Sequence, residues 1–318
     1  MKSCIRLLVL LLPYYLLAQA RVIQVPLQTK LNYFSGSSMA TATSFDFSGF
    51  RGIPNDLTEK AICYGNTIPG QTKYEEYIQG EITKEEWQKF KAGAGYRIDT
   101  NLLSPRPVKH RINTLIGKDK QGRRVVIVDA NNNQDFSDDQ VLYYLMTLPC
   151  VERNEKGHYT RAAIKEVLPT MPTVKVNLEA FDGKKVVPRT VWIRPNPYND
   201  GTTYADTTLN RYHLDMIDLA YHRGVATILG RQFTFEVRPT PTLIYTMWRS
   251  DFIVYPSDEP SRKMGGWFTV DGHRIEIAGI SVQGDKLTLI DRGSTFDEII
   301  IKKSFNPLSL LPQIGSSK

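Results

Sequence analysis

From Pro107 onward, short apolar runs alternate with Gly, Asp and Asn punctuation, and that pattern predicts strands rather than helices. Arg123-Arg124-Val125-Val126-Ile127-Val128 is a β-branched run closed by Asp129, and the strand pattern resumes from Tyr143 to Leu148. Between Thr173 and Phe181, Val174, Val176 and Leu178 fall on one face. Asp182-Gly183 then supplies two residues that readily take positive φ, and Val186 to Arg194 runs back, which predicts a hairpin. Val225 to Ile228 and Gln232 to Val237 flank Leu229-Gly230-Arg231 in the same way. Leu243 to Tyr255, Gly266 to Ile280 around Asp271-Gly272, and Ile280 to Ile290 with Gln283-Gly284 at its bend continue the series. Residues 209 to 222 fit two periods: Leu209, Tyr212, Met216 and Leu219 a helix, Leu214 and Met216 a strand. The flanking hairpins favour the strand.

Helical signals are few. Thr83-Lys84-Glu85-Glu86 reads as a capping box, in which the Thr83 hydroxyl accepts from the first turn while Glu86 reaches back. It opens a short helix over 83–92 that buries Trp87 and Phe90 and ends at Gly93. Arg161 to Leu168 is a second short candidate, stopped by Pro169. Residues 21 to 69, with SGSSMATATS at 35–44, read as irregular or edge-like. The expected fold is mainly β, an antiparallel sandwich or barrel-like sheets with one or two short helices. The expected organisation is a signal peptide at 1–20, a mixed N-terminal segment at 21–107, a β-rich domain at 108–305 and a C-terminal tail or truncated linker at 306–318.

The start of the chain fixes an expected address. Lys2 and Arg6 precede an apolar stretch of about eleven residues, Leu7 to Leu17, and Ala18-Gln19-Ala20 follows as a small-x-small exit, the three parts of a secretory signal peptide. A periplasmic or secreted protein follows. No later run reaches the roughly eighteen consecutive apolar residues of a membrane span. A hydrophobic content of 41% is that of a folded chain with a real core, and the formal net charge of +7, reduced by two with the leader, is too dispersed to grip nucleic acid. Two cysteines stay in the mature chain, Cys63 and Cys150. They either close a disulfide, worth on the order of 4 kcal/mol for so long a loop, or stay apart as buried thiols. Neither lies in a Cys-x-x-Cys spacing that would activate a thiol.

The segment Asp129-Ala130-Asn131-Asn132-Asn133-Gln134-Asp135-Phe136-Ser137-Asp138-Asp139 carries the most suggestive chemistry. Oxygen-bearing side chains at alternate positions, Asp129, Asn131 and Asn133, can turn toward one point, as a hard cation such as Ca²⁺ requires. Asp135 can add its backbone carbonyl, and Asp138 or Asp139 the closing carboxylate. The pattern is similar to the first half of a calcium loop of the helix-loop-helix or dockerin type. It departs from it where Gln134 replaces the glycine of the sharp turn and Gln140 the closing acid. The alternative is a solvated loop whose Asp and Asn bond their own backbone. A bound Ca²⁺ is expected to hold the loop, not to catalyse.

Other candidates are weaker. His110, His158, His213, His222 and His273 form no HExxH pair, and His213 and Asp215 share at most a strand face. There is no Gly-x-Ser-x-Gly elbow, and Gly93-Ala94-Gly95 is too short for a phosphate loop. Trp192, Trp248 and Trp267 could line a sugar-binding face or fill a core.

Three phrases, VVIVDANNNQDFSDDQ, VVPRTVWIRPNPYND and SVQGDKLTLID with the ending FNPLSLLPQIGSSK, resemble the region that precedes the thioredoxin domain in exported TlpA-type disulfide reductases of bacteria. The likeness covers most of residues 110–318. It implies a thioredoxin-like domain after Gln313-Ile314-Gly315 with a Cys-x-x-Cys dithiol, which these residues do not contain, so no catalytic residue is carried over. The chain is therefore expected to be the front part of a larger reductase or a stand-alone relative. The function expected is an exported, non-catalytic binding or accessory module beside extracytoplasmic thioredoxin-like proteins, with an unidentified protein or glycan partner. The alternatives are a secreted hydrolase using scattered carboxylates or His213, and a carbohydrate-binding surface module.

Overall fold

The structure, a computed structural model, describes residues 20–31, 37–93, 100–148, 159, 163, 166–198, 212, 214–239, 252–256, 262–263 and 265–294. Residues 1–19 and those from 295 lie outside them. Strands β1 (Arg21–Leu31), β2 (Ser37–Ala40), β3 (Ala42–Ser44) and β4 (Thr58–Asn66) precede helices α1 (Pro69–Ile78) and α2 (Lys84–Gly93). Then follow β5 (Arg111–Lys118), β6 (Arg124–Val128), β7 (Val141–Tyr144), β8 (Val174–Phe181), β9 (Val186–Asn196), β10 (Asp215–Asp218), β11 (Ala220–Ile228) and β12 (Arg231–Pro239). The last are β13 (Phe252–Pro256), β14 (Arg262–Lys263), β15 (Trp267–Val270), β16 (His273–Ile280) and β17 (Lys286–Ser294). The protein is mainly β, built of antiparallel sheets that include a half-barrel. No helix among the described residues is long and apolar enough to cross a membrane.

Three sheets result, in the orders β3-β4-β5-β6-β7, β2-β10-β9-β8 and β14-β13-β12-β11-β1-β17-β16-β15. The first two share a core in which Ile112, Ile116, Val126 and Leu142 meet Val176, Leu178, Val191 and Ile193. The opposite face of the five-stranded sheet is covered too, Leu115, Val125 and Ile127 packing under Leu57 and Phe136. That double coverage explains why β6 reads as an unbroken apolar run rather than an alternation: all five of its residues are buried. In β8 only one face is covered, and Val176, Leu178 and Ala180 alternate with exposed or half-buried neighbours.

The eight-stranded sheet curls around its own core of Val25, Phe233, Phe235, Phe268, Ile275, Ile277, Leu287 and Leu289. Its pivot is β1, which pairs with β17 through Arg21–Pro26 and with β11 through Leu27–Leu31. Pro26 has no N–H to extend the first ladder, so the change of partner falls where a ladder bond is missing anyway. The Leu27 N–H turns to the Asp285 carbonyl, 2.7 Å away. Gly224 faces this corner, and a Cβ there would lie 2.3 Å from the Pro26 carbonyl oxygen.

The predicted hairpins are present, turning at Asp182-Gly183, Leu229-Gly230 and Asp271-Gly272, and the Asp182 carboxylate accepts from the Lys184 and Lys185 N–H groups. The capping box is formed as expected, Glu86 N–H to Thr83 Oγ1 at 3.1 Å and Thr83 N–H to Glu86 Oε2 at 2.7 Å, and Trp87 is buried beneath α2. Residues 215–218 and 220–228 are strands. Several expectations are corrected. Residues 21–69 are not irregular: β1 sits inside the largest sheet and β4 inside the five-stranded one, and only β2 and β3, from the 35–44 stretch, are edges. Helix α1 was not expected, and the strand placed at 143–148 instead spans Val141–Tyr144. Most of 161–168 and of 243–255 lies outside the described residues. Strands from the 21–107 segment enter all three sheets, where β1, β2 and β4 each lie beside a strand from beyond residue 108.

The chain passes between the four- and eight-stranded sheets from β1 to β2, through residues outside the described ones, and again from β10 to β11 through a single residue, Leu219. Its N–H donates to the Trp192 carbonyl at 2.9 Å, and the next N–H, of Ala220, to the Asp218 carboxylate at 2.9 Å. On the far side His222, 8% exposed, touches Thr29 Oγ1 and packs against the Gly284 backbone. Burial, followed by the nearby Arg189 charge and against the pull of Asp285, pushes its imidazole down to about 4.

Two outcomes follow. Gly224→Ala is expected to destabilise the fold by about 2 kcal/mol or more through backbone overlap, whereas Gly279→Ala, which meets open space, leaves the urea midpoint close to wild type. His222 is neutral in the fold, while an unfolded histidine protonates near 6.5, so its contribution is intact above that value and drains away as pH falls toward 4, at about 1.4 kcal/mol per unit. Urea midpoints at pH 7, 5.5 and 4 should therefore drop less steeply in His222→Gln than in wild type.

Candidate functional site

Both candidate sites hang from one end of the β5–β6 pair, where His110 leads into β5 and Asp129 leaves β6, tied there by the Asp129 N–H to the Asn113 carbonyl at 3.0 Å. Asp129 is fully buried and accepts from the Asn133 N–H at 2.9 Å and the Gln134 N–H at 3.0 Å, which winds the loop around its carboxylate. Asn132 and Gln134 take positive φ, 58° and 62°, so the glutamine adopts the left-handed turn that usually calls for glycine. The chain at Arg51 and Gly52 straps the loop: Arg51 exchanges backbone bonds with Gln134 and Phe136 and pairs with Asp135 at 3.3 Å. A Cβ on Gly52 would lie 2.2 Å from the Ser137 nitrogen.

The six residues expected to bind a cation are brought into one loop but not all to one point. The amide nitrogens of Asn131 and Asn133 each lie 3.0 Å from Asp138 Oδ2, so these three side chains converge. The amide oxygens of both are already engaged, Asn131 Oδ1 accepting from the Asn133 N–H at 3.1 Å and Asn133 Oδ1 from the Asp135 N–H at 2.8 Å. Asp139 Oδ1 accepts from the Ala130 N–H at 3.0 Å, while Oδ2 is buried with no partner. Burial first, then the charges of Asp129, Asp138 and Asp135, push Asp139 up to about 6. The Asp135 side chain points elsewhere, capping the Phe136–Asp138 turn through Ser137 and held low by those bonds and by Arg51. Among the described residues no three His, Cys, Asp or Glu side chains gather to hold a metal ion on their own.

Next to this loop opens a polar cleft of about 760 Å³. Asn132, Asn133 and Gln134 form one wall, Thr72, Glu75 and Glu76 of α1 another, and Tyr64, His110, Arg111 and Asn113 line it between them. Helix α1 is locked in place by fully buried Gln71, whose amide exchanges bonds with the Ser104 backbone at 2.8 and 3.0 Å. His110 is 2% exposed. Its Nδ1 lies 2.9 Å from the Val108 carbonyl, which can only accept, so Nδ1 carries the hydrogen and Nε2 accepts from the Thr72 hydroxyl at 2.8 Å. Glu75 Oε1 stands 3.8 Å from Nδ1 and accepts from the Val108 N–H at 3.2 Å. Burial lowers the affinity of His110 for a proton, and Arg111 adds to that; the Val108 carbonyl and Glu75 oppose it. Arg111 lies over the Tyr64 ring at 5.6 Å, and its carbonyl accepts from Asn132 at 2.8 Å.

Sequence reasoning missed this cleft. A signal existed: Pro69 at the start of α1, with Tyr74, Tyr77 and Ile78 at helical spacing, fits a helix as well as a turn. Of the other candidates, Trp192 and Trp267 sit on different sheets, Trp267 46% exposed beneath Arg274, and Trp248 lies outside the described residues. His158, His213 and Cys150 lie outside them as well. His273 pairs with Asp291 at 3.0 Å. Cys63 is fully buried, donates to the Tyr212 carbonyl at 3.4 Å and is pushed up to about 11 by burial. Comparison with known protein families, curated proteins and solved structures finds no match to this chain.

Asp139 generates a signed prediction. A carboxyl held above its ordinary value favours the fold when neutral, so its contribution is fullest below about 4 and is lost as pH rises toward 6. In buffer with a chelator, Asp139→Asn should raise the melting temperature at pH 8 and change it little at pH 4, as followed by circular dichroism.

Proposed function

We propose that the protein is an exported binding module in which the cleft beside α1 receives a small polar ligand and Ca²⁺ holds the loop that forms one of its walls. The observation that carries this is the position of Asn133, which lines the cleft with its neighbours Asn132 and Gln134 while its amide meets Asp138 on the loop side. The donor set suits a hard cation: Asp138 and Asp139 supply side-chain oxygens beside Asp129, in a loop where the Asn131 and Asn133 amides meet Asp138, and the buried, unpartnered Asp139 Oδ2 is an oxygen that positive charge would satisfy. Bound there, Ca²⁺ supplies charge neutralisation and loop rigidity. Asp129 keeps the loop wound and Arg51 keeps Asp135 turned away. Export rests on the pattern of the first twenty residues, and the accessory role beside an extracytoplasmic thioredoxin-like protein on the sequence resemblance. Buried Cys63 is unsuited to thiol exchange, which is consistent with an accessory role.

Melting in millimolar Ca²⁺ and in chelator tests the reading. A ligand at a hundred times its Kd adds about 2.7 kcal/mol, a shift of several degrees for a chain of this size. Asp138→Ala, an exposed position, should abolish that shift without lowering the chelated melting temperature. Identical melts with and without Ca²⁺ would remove the cation from the proposal.

A further inference from the structure

We propose that Thr72 is a nucleophile toward small acyl esters entering the cleft, with His110 as its general base, an inference that rests on the cleft being a ligand site but not on calcium. A hydroxyl is a weak nucleophile unless a base lies within hydrogen-bond reach and is itself held in place. Here the half-buried hydroxyl of Thr72 faces the cleft, Nε2 is 2.8 Å away, and the Val108 carbonyl fixes the ring by binding Nδ1–H at 2.9 Å. The hydroxyl proton has two acceptors in reach, Nε2 at 2.8 Å and the Asn66 Oδ1 at 3.4 Å, and the nearer is the nitrogen that must take it. Glu75, 3.8 Å from Nδ1, is a positioning residue: it holds the Val108 N–H, and its charge favours the imidazolium that forms on proton transfer. Such a series is recognised by geometry and role, not by order in the chain.

The steps balance without any added redox partner. The Thr72 oxygen forms a bond to the ester carbonyl carbon as its proton passes to Nε2, and the carbonyl electron pair moves onto oxygen in a cleft that Arg111 also lines. Collapse breaks the bond to the leaving alcohol, which takes the proton from Nε2 and departs, leaving an acyl-threonine. Water then attacks the acyl carbon, gives its proton to Nε2, and the acid leaves as Thr72 recovers the proton. Burial keeps His110 neutral and competent as a base below the pH at which an exposed histidine protonates.

The probe is p-nitrophenyl acetate, with the full chain and the variants Thr72→Val, Thr72→Ser, His110→Gln and Glu75→Gln. Wild type is expected to release nitrophenolate and, after acid quenching, to carry one acetyl group on the Thr72 peptide by mass spectrometry. Thr72→Val, close in shape, should lose at least about tenfold in rate at an unchanged melting temperature, and Thr72→Ser should stay within a few-fold of wild type. Because His110 is buried, its variant is read only where circular dichroism shows a native fold. Glu75→Gln should move the acid limb of the pH–rate profile to lower pH, a displacement that a purely structural role would not produce. Release by Thr72→Val at the wild-type rate, acetylation confined to lysines, or no release at all would overturn the proposal. Each of these results leaves the binding module, judged by its Ca²⁺-dependent melting, standing.

Discussion

Everything chemically notable in this protein depends on the burial of β5 and β6 on both faces. Because Leu115, Val125 and Ile127 are covered on one side and Ile112, Ile116 and Val126 on the other, the strand pair cannot tilt or slip without opening two cores at once. Antiparallel pairing puts the start of β5 and the end of β6 at the same end of that rigid pair. His110 and Asp129 project from it as two adjacent roots, one for the cleft and one for the acidic loop. Neither the winding of the loop around a buried carboxylate nor the fixed tautomer of the imidazole would survive on a looser support.

The two sites are physically continuous. Asn132 donates to the Arg111 carbonyl, and Arg111 in turn covers Tyr64 inside the cleft. The acidic loop therefore touches the cleft through one side chain and one strand end. Electrostatics divide along the same line. Burial, reinforced by the negative charge of its loop neighbours, drives Asp139 toward its neutral form, and desolvation does the same to His110 in the cleft, so the loop retains a carboxyl beside other carboxylates and the cleft a bare acceptor nitrogen.

What could be read from the residues was what nearby residues decide. Asp182-Gly183, Leu229-Gly230 and Asp271-Gly272 announce their turns because positive φ is a local demand, and Thr83 with Glu86 announces a helix start for the same reason. The acidic loop was legible as a unit because alternate oxygen-bearing side chains are a local pattern; that Asp135 would turn to Arg51, far back in the chain, was not. β1 was missed because its pattern is set by two distant partners. Only Val25 and Leu27 are buried in it, Pro26 argues against a strand, and the ladders that hold it come from residues 220–224 and 286–291. The Thr72–His110 contact joins residues 38 apart that no periodicity connects. Helix α1 hid behind Pro69-Gly70, a pair that reads equally well as a turn.

Leu219 gives the architecture a mechanical character. With a single residue between β10 and β11, its N–H held by the Trp192 carbonyl and the next N–H by the Asp218 carboxylate, the passage is short of slack to absorb torsion. At this passage a change in the angle between the sandwich and the half-barrel falls on the dihedrals of one residue and on those two hydrogen bonds.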